Sequence, residues 1–190
     1  MGAMTTATKI MTLDEFLALP ETEPYSEFIR GTVVEKTGIG WNHGLLMAQL
    51  AAMLANGTRD TRAGWPMVSP LHVQRTESRA YLPDIALVLR QHLPTDRRVL
   101  SHGPLEHIPD LAIEILSPDD RPTRVAEKVS FYMRNETPLL WVVDPDERTI
   151  DVYRPGLPST RHTTGDFITG EPVLPDFRLD VGALFAVLDE

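Results

Sequence analysis

Short apolar runs between turn residues are the clearest pattern in the middle of the chain, and they predict strands. Tyr81 to Leu89, Leu111 to Leu116 and Leu139 to Val143 are apolar over most of their length. Runs of this kind are typical of strands buried on both faces of a sheet. A further run, Thr149 to Tyr153, follows Leu139 to Val143 after a short turn segment, so we expect these two strands to pair.

Capping residues and helical spacing predict the helices. Thr12 with Glu15 forms the spacing of a capping box before one apolar segment. Asn42 can cap another apolar segment, which we expect to stop at Gly57. The predicted helices are, in chain order, Thr12 to Leu19, His43 to Asn56, Thr123 to Arg134 and Gly182 to Leu188.

The order of these elements indicates an α/β fold with a mixed β-sheet flanked by helices. A hairpin from Phe28 to Glu35 and a strand from Met67 to Gln74 complete the predicted strands of the central region. No repeat or linker divides the chain, so we expect one domain over residues 11–190. Residues 1–10, which begin Met1-Gly-Ala-Met4, read as a tag remnant and a flexible N-terminus.

Composition narrows the function classes. The chain has 190 residues, 42% hydrophobic and 24% charged, which is ordinary for a globular domain, and it has no cysteine, so disulfides and thiolate metal sites are excluded. No apolar stretch is long enough for a membrane span, and no signal-peptide core opens the chain; we expect no membrane partner and a cytoplasmic location. A net charge of −9 argues against nucleic acid, because polyanion binders usually carry a basic face.

Two carboxylates fall where the predicted sheet is buried. Glu114 interrupts the run Leu111 to Leu116, where an unpaired carboxylate would be very costly unless the strand end reaches solvent. Asp84 begins the core of another strand, and neighbouring strands lie about 4.8 Å apart, so Asp84 and Glu114 can meet. Asp110 is a poorer partner, because four residues along one strand separate it from Glu114 by about 13 Å.

Lys128 is a candidate counter-charge for these acids. In the helix Thr123 to Arg134 it falls within the apolar arc, whereas Arg124 falls outside it. The side chain would either extend past its apolar neighbours to water or direct a cation toward Asp84 and Glu114.

Four segments occur in an order that resembles the Uma-two family of restriction-endonuclease-like proteins, within the PD-(D/E)XK nuclease superfamily. They are Pro83-Asp84, Glu114-Ile-Leu-Ser-Pro118, Lys128 with Tyr132, and Leu140-Trp-Val-Val-Asp-Pro145. Upstream, Tyr25-Ser-Glu-Phe-Ile-Arg-Gly-Thr-Val-Val34 and His43 also fit, so the resemblance covers most of the chain, from about Met11 to Tyr153. It implies a restriction-endonuclease-like core and a metal-dependent endonuclease that hydrolyses DNA.

The resemblance also implies roles for individual residues. Asp84 and Glu114, with the backbone carbonyl of Ile115, would hold Mg²⁺ (or Mn²⁺), and Lys128 would orient water or stabilise charge on the phosphate. Glu27 matches the glutamate of the family's first hairpin, either as a ligand to a second ion or as a salt bridge at a strand end.

Two positions depart from the expected pattern. The usual lysine of the superfamily, two residues after the glutamate, is Leu116 here, so the resemblance assigns that role to Lys128 from the following helix. Arg30 replaces an acidic residue in the first hairpin, a change that we expect to affect only a turn.

Several alternatives follow from the sequence and remain open. His43 reads more simply as a first-turn helix residue than as a site residue, and Tyr132 and Trp141 read as core aromatics. The apolar helix from His43 to Asn56 and the strand pair near Trp141 offer more apolar surface than a small sheet can easily cover, so we expect a symmetric homodimer. The same fold can also serve as a non-catalytic dimeric binding module, in which Glu114 and Lys128 form a buried ion pair with Asp84 as a second acceptor.

Overall fold

The computed structural model describes residues 11–20, 25–36, 40–59, 61–68, 73–76, 79–93, 96 and 108–190. The predicted tag remnant at residues 1–10 lies outside them. The helices are α1 (Leu13–Leu17), α2 (Trp41–Arg59), α3 (Pro122–Arg134) and α4 (Val181–Phe185), with 3₁₀ turns at Arg90–His92 and Ala186–Asp189. The strands are β1 (Ser26–Ile29), β2 (Thr32–Glu35), β3 (Gly64–Val68), β4 (Val73–Thr76), β5 (Arg79–Tyr81), β6 (Ile85–Leu89), β7 (Leu111–Ile115), β8 (Leu139–Asp144), β9 (Thr149–Tyr153), β10 (Thr160–His162), β11 (Phe167–Gly170) and β12 (Leu174–Asp180).

A six-stranded mixed sheet in the order β10-β9-β8-β7-β6-β3 organises the molecule. Strands β7 and β8 run parallel, and the other neighbouring pairs in this sheet run antiparallel. The parallel pair is joined through α3, because a parallel connection needs a crossover long enough to contain a helix. The predicted α/β class with a mixed sheet and flanking helices is therefore confirmed, as is the pairing of β8 with β9.

The two faces of this sheet are covered by different elements. On one face, α2 contributes Leu46, Leu50 and Leu54 to a core that includes Trp141. The hairpin of β11 and β12, together with α4, closes the same core, and Phe177 stacks on Trp141. On the opposite face, Phe131 and Tyr132 of α3 pack with Tyr81, Ala112, Leu140 and Val142.

A second, four-stranded sheet in the order β2-β1-β5-β4 lies beside α1. Phe16 of α1 stacks on Phe28 of β1, with ring centroids 5.3 Å apart. The predicted capping box of Thr12 and Glu15 is present, and the first hairpin turns at Arg30 and Gly31, whose φ values are 50° and 84°. Arg30 therefore lies in a turn, as the sequence predicted.

Two predicted strands are each divided between sheets. The prediction of one strand over Met67 to Gln74 is wrong: β3 belongs to the six-stranded sheet and β4 to the four-stranded sheet. The run Tyr81 to Leu89 is likewise divided into β5 and β6 around Pro83. Proline has no N–H for a ladder, so the chain leaves one sheet there and enters the other.

The predicted boundaries of α2 were also wrong. The helix begins at Trp41, so Asn42 lies inside it, and it continues past Gly57 to Arg59. Gly57 is a packing position: a Cβ built there would lie 2.4 Å from the ring of Phe177.

The apolar surface that suggested a homodimer is covered within the chain. Leu46, Leu50, Leu54 and Trp141 are fully buried against other elements of the same molecule. Within the described residues, no helix is both long and apolar enough to cross a membrane.

Candidate active site

Strand register places Asp84 opposite Glu114. Ile85 of β6 pairs with Ile113 of β7, and extending this antiparallel register by one residue brings Asp84 against Glu114. Asp84 lies just before β6, and its Oδ2 accepts a hydrogen bond from the N–H of Ile115 at 2.7 Å. Both acids line one opening, which we call the central recess; its lining includes Lys36, His43, Asp84, Glu114, Asp120 and Lys128.

Asp84 is almost fully buried and is held by two side chains from other elements. The Nζ of Lys36, just after β2, lies 2.6 Å from Asp84 Oδ1. His43 in the first turn of α2 places Nε2 at 3.3 Å from Asp84 Oδ2. Burial alone would raise the pKa of Asp84, but the His43 hydrogen bond and the Lys36 charge outweigh it, so the pKa is lowered.

Glu114 is bound by α3. Lys128 Nζ donates to Glu114 Oε2 at 2.8 Å, and the Tyr132 hydroxyl donates to Glu114 Oε1 at 2.9 Å. Lys128 and Tyr132 are four residues apart, so they project from one face of the helix. Burial raises the pKa of Glu114 despite the neighbouring Lys128, and the pKa of Tyr132 is raised by its own burial and by Glu114.

Glu27 of β1 has no solvent-exposed surface and lies behind Lys128. Its Oε1 is 2.9 Å from Lys128 Nζ, its Oε2 is 2.9 Å from Arg124 Nη2, and the N–H of Leu82 donates to Oε1 at 3.3 Å. Burial alone would raise the pKa of Glu27, but Lys128, Lys36 and Arg124 together lower it. The geometry at this strand end is that of a salt bridge.

Lys128 bridges two buried glutamates, Glu114 and Glu27. Burial would lower the pKa of its ammonium, but the two carboxylates overcome this and raise the pKa, so Lys128 is charged at neutral pH. Of the two orientations that the sequence left open for Lys128, the structure shows the inward one. Its second acceptor is Glu27, and Asp84 is held by Lys36 and His43 instead.

Asp110 belongs to a different part of the sheet. It accepts hydrogen bonds from the N–H of Leu89 at 2.8 Å and contacts His92 Nδ1 at 2.8 Å. The structure therefore separates Asp110 from the central recess, as strand spacing predicted.

The sequence interpretation missed four participants in this cluster. His43 does lie in the first turn of a helix, as the simpler interpretation had it, but it also contacts Asp84. Lys36 gave no signal, because it was only a single lysine after a predicted strand. Arg124 was placed outside the apolar arc, yet it lies four residues before Lys128 and reaches Glu27 on the same side of α3. Tyr132 was read as a core aromatic, which its burial bears out, but its hydroxyl also binds Glu114.

The cluster is balanced in formal charge. Three carboxylates, Glu27, Asp84 and Glu114, face three basic side chains, Lys36, Arg124 and Lys128. Within the described part of the chain, no group of three or more His, Asp or Glu side chains has the spacing of a metal site.

The molecule is a mixed α/β protein in which a buried acid–lysine cluster lies where β6 begins and β7 ends, on inner strands of the six-stranded sheet. A family model described as "Uma2: Putative restriction endonuclease" matches residues 13–182. The chain belongs to this family, as the resemblance in its sequence predicted. Family and fold together indicate a restriction-endonuclease-like nuclease, a class that typically uses divalent metals.

A solved structure agrees with this assignment. It is described as a "Crystal structure of a putative nuclease belonging to DUF820 from Anabaena variabilis ATCC 29413", and it matches with a TM-score of 0.83 at 28% identity. The match covers 94% of this chain and 99% of that one. No curated protein matches this chain.

Proposed function

We propose that this chain is a Mg²⁺- or Mn²⁺-dependent endonuclease that hydrolyses phosphodiester bonds of DNA at the central recess. The observation that carries the proposal is the convergence of Asp84, Glu114 and Lys128 on one recess, where three separate elements place charged side chains out of bulk water. Maintaining buried charges in this way is energetically costly, and such clusters concentrate at functional sites.

The donor chemistry of the recess fits a hard divalent ion. Mg²⁺ commonly binds proteins through one or two carboxylates and keeps several waters, so Asp84 and Glu114 are sufficient in kind and number. The N–H of Ile115 points toward Asp84. In an extended strand the C=O of the same residue points toward the same neighbour, which supports the Ile115 carbonyl as a further ligand.

Each residue then has a distinct task. Asp84 and Glu114 would hold the ion, which when bound polarises the phosphate and lowers the pKa of a water. Tyr132 orients the carboxylate of Glu114 through its hydroxyl. Lys128, held charged between two glutamates, would stabilise negative charge on a phosphate oxygen as water replaces the leaving oxygen at phosphorus.

Glu27 would support this site from behind. It is tied to Lys128 and Arg124, and it is absent from the described lining of the central recess. We therefore propose Glu27 primarily as the residue that holds Lys128 in place. The second-ion role that the family resemblance implied for Glu27 would require both salt bridges to open.

The partners of such an enzyme follow from its reaction. DNA would be the substrate, and we place the chain with that substrate in the cytoplasm. A homodimer stays a prediction, because two sites related by a two-fold axis would suit cleavage of both strands. The apolar surface from which the homodimer was inferred no longer supports it, since that surface is buried within the chain.

The decisive experiment measures plasmid cleavage and metal binding together. The parent protein should cleave DNA with Mg²⁺ and lose cleavage in EDTA, and Glu114→Gln should lose both metal binding and cleavage while its circular dichroism stays unchanged. Glu35→Gln, an exposed acid on β2, is the matched control and should retain parent activity. Cleavage by Glu114→Gln at the parent rate would refute the proposed site.

A non-catalytic module is the second candidate, and one observation favours it. Every carboxylate in the cluster already has a cationic partner, so the cluster can serve as a structural ion network without any metal. In that case Mg²⁺ would leave the melting temperature of the parent unchanged and no cleavage would appear. A metal-dependent rise in melting temperature that Glu114→Gln abolishes would exclude this candidate.

A further inference from the structure

Lys36, the residue after β2, directs its ammonium into the cluster of acids. Its ammonium lies 2.6 Å from Asp84 Oδ1 and 2.7 Å from the backbone carbonyl oxygen of Leu82. The side chain is only 13% exposed. Its charge also attracts Glu27 and Glu114, so the ammonium lies within the field of all three acids of the cluster.

The two oxygens that bind the ammonium, in an anionic environment, are also suitable ligands for a hard metal ion. A divalent ion bound to Asp84 Oδ1 would lie about 2.1 Å from that oxygen. The ammonium already lies 2.6 Å from the same atom, so an ion bound there would compete with it for that oxygen. Like charges this close repel strongly in a buried setting, which favours departure of the ammonium.

The side chain of Lys36 can leave without moving the backbone. The N–H of Lys36 donates to the carbonyl of Tyr25 at 2.7 Å, which anchors the main chain at the end of β2. A four-carbon stem with a compact ammonium can rotate away from Asp84 around this anchor.

We propose that the Lys36 ammonium occupies the divalent-ion position at Asp84 and is displaced when the ion binds. Lys36 thus acts as a tethered cation that competes with the metal and weakens its binding when substrate is absent. The inference rests on the proposed metal-dependent function, and it adds a residue-level control of metal affinity.

Arg124 provides a matched comparison. It carries the same charge and belongs to the same cluster, but it contacts Glu27 and not Asp84. Removing either cation changes the net charge by the same amount. Only removal of Lys36 frees an oxygen of Asp84.

The test is calorimetric titration of Mn²⁺ into the full chain without DNA, for the parent, Lys36→Gln, Lys36→Met and Arg124→Gln. Lys36→Gln removes the charge but can still donate a hydrogen bond to Asp84, so it remains informative if Lys36→Met does not fold. We expect Mn²⁺ to bind at least tenfold more tightly to both Lys36 variants and less than threefold more tightly to Arg124→Gln. The Mn²⁺-dependent rise in melting temperature should increase in the same order.

The outcomes separate this inference from the function on which it rests. If the parent binds Mn²⁺, cleaves DNA and loses both with Glu114→Gln, while Lys36 variants bind no more tightly than the parent, displacement is refuted and the nuclease stands. Equal tightening by Lys36→Gln and Arg124→Gln would also refute displacement, since net charge alone would explain it. If neither the parent nor any Lys36 or Arg124 variant binds Mn²⁺ at millimolar concentration and the parent cleaves no DNA, the proposed function fails as well.

Discussion

At the scale of single residues, buried charge dominates the behaviour of this protein. Glu27 and Asp84 are at most 1% exposed, and each has both a cationic partner and a backbone N–H donor. Pairing of this kind offsets the desolvation of each charge, but removal of one partner leaves the other charge stranded. The cluster is therefore sensitive to single substitutions, whatever its chemical role.

Lys128→Met should destabilise the protein strongly. It leaves the buried Glu114 without a cationic partner and Glu27 with Arg124 alone, and loss of one partner of a buried pair typically costs about 3–5 kcal/mol. The free energy of unfolding in urea measures this, with exposed Arg134→Met on the same helix as the control, expected within about 0.5 kcal/mol of the parent. Adding Glu27→Gln to Lys128→Met should recover part of the loss; a fully additive double variant would show that the two residues are not coupled.

Asp84→Asn should flatten the acid side of the stability profile. The pKa of Asp84 is lower in the folded protein than in the unfolded chain, where it is about 4. Ionised Asp84 therefore stabilises the folded state above that pH, and this contribution is lost as the pH falls below it. Each extra proton bound by the unfolded state contributes about 1.4 kcal/mol per pH unit. Urea unfolding between pH 5 and 3 should therefore show a smaller slope for Asp84→Asn than for the parent, with exposed Asp176→Asn as the comparison. The same slope in both proteins would contradict a lowered pKa of Asp84 in the folded state.

At the scale of elements, α2 connects the core to the recess. Its buried leucines pack on the sheet, while its first turn presents His43 to Asp84. His43 Nδ1 is buried and has no hydrogen-bond partner in the described structure. The same helix passes Phe177 of β12 at Gly57, so its position depends on a residue without a side chain.

Gly57→Ala should destabilise the fold although alanine favours helices. The gain in helix propensity is about 1 kcal/mol, whereas a Cβ 2.4 Å from the Phe177 ring forces repacking that typically costs about 1–3 kcal/mol. Thermal unfolding measures the net effect. Gly40→Ala, just before the helix, is the control: nothing lies within 4 Å of a Cβ at that position, so its loss of melting temperature should be smaller than that of Gly57→Ala. A stabilised Gly57→Ala would show that Phe177 moves freely.

At the scale of the whole molecule, the net negative charge disfavours binding of the proposed DNA substrate. The chain carries −9, so its overall field repels DNA, and the cations closest to the recess are already paired with acids. A divalent ion would add positive charge at the recess, which makes metal binding and DNA binding depend on each other. The scattered exposed hydrophobic residues, among them Trp41 and Trp65, do not compensate for this.

DNA binding should therefore require a divalent ion and involve few phosphates. We expect fluorescence anisotropy of labelled duplex with Glu35→Gln and parent protein to show binding in Ca²⁺ and none in EDTA. The slope of log K against log salt should be shallow, since each neutralised phosphate contributes about −0.9. Tight binding in EDTA with a steep slope would indicate a separate basic surface.

Light scattering decides the state of assembly. A mass of twice the 21.3 kDa chain that persists on dilution would support the homodimer. A mass of one chain across a wide concentration range would end that prediction, and a monomer would then be expected to nick duplexes one strand at a time.

Local apolar patterns, capping residues and ordered motifs were enough to predict most element types, the α/β class and the family. The folded structure was needed to show that Pro83 separates two sheets and that α2 continues through Gly57. It was also needed to show that Lys128 points inward and that Lys36 and Arg124 join the acids. Local patterns specify which face of an element is buried, but they carry no information on which distant charge it will meet. That pairing depends on the register of β6 against β7 and on the packing of α3 over the sheet, so the partner of each buried carboxylate is settled only when the whole chain is folded.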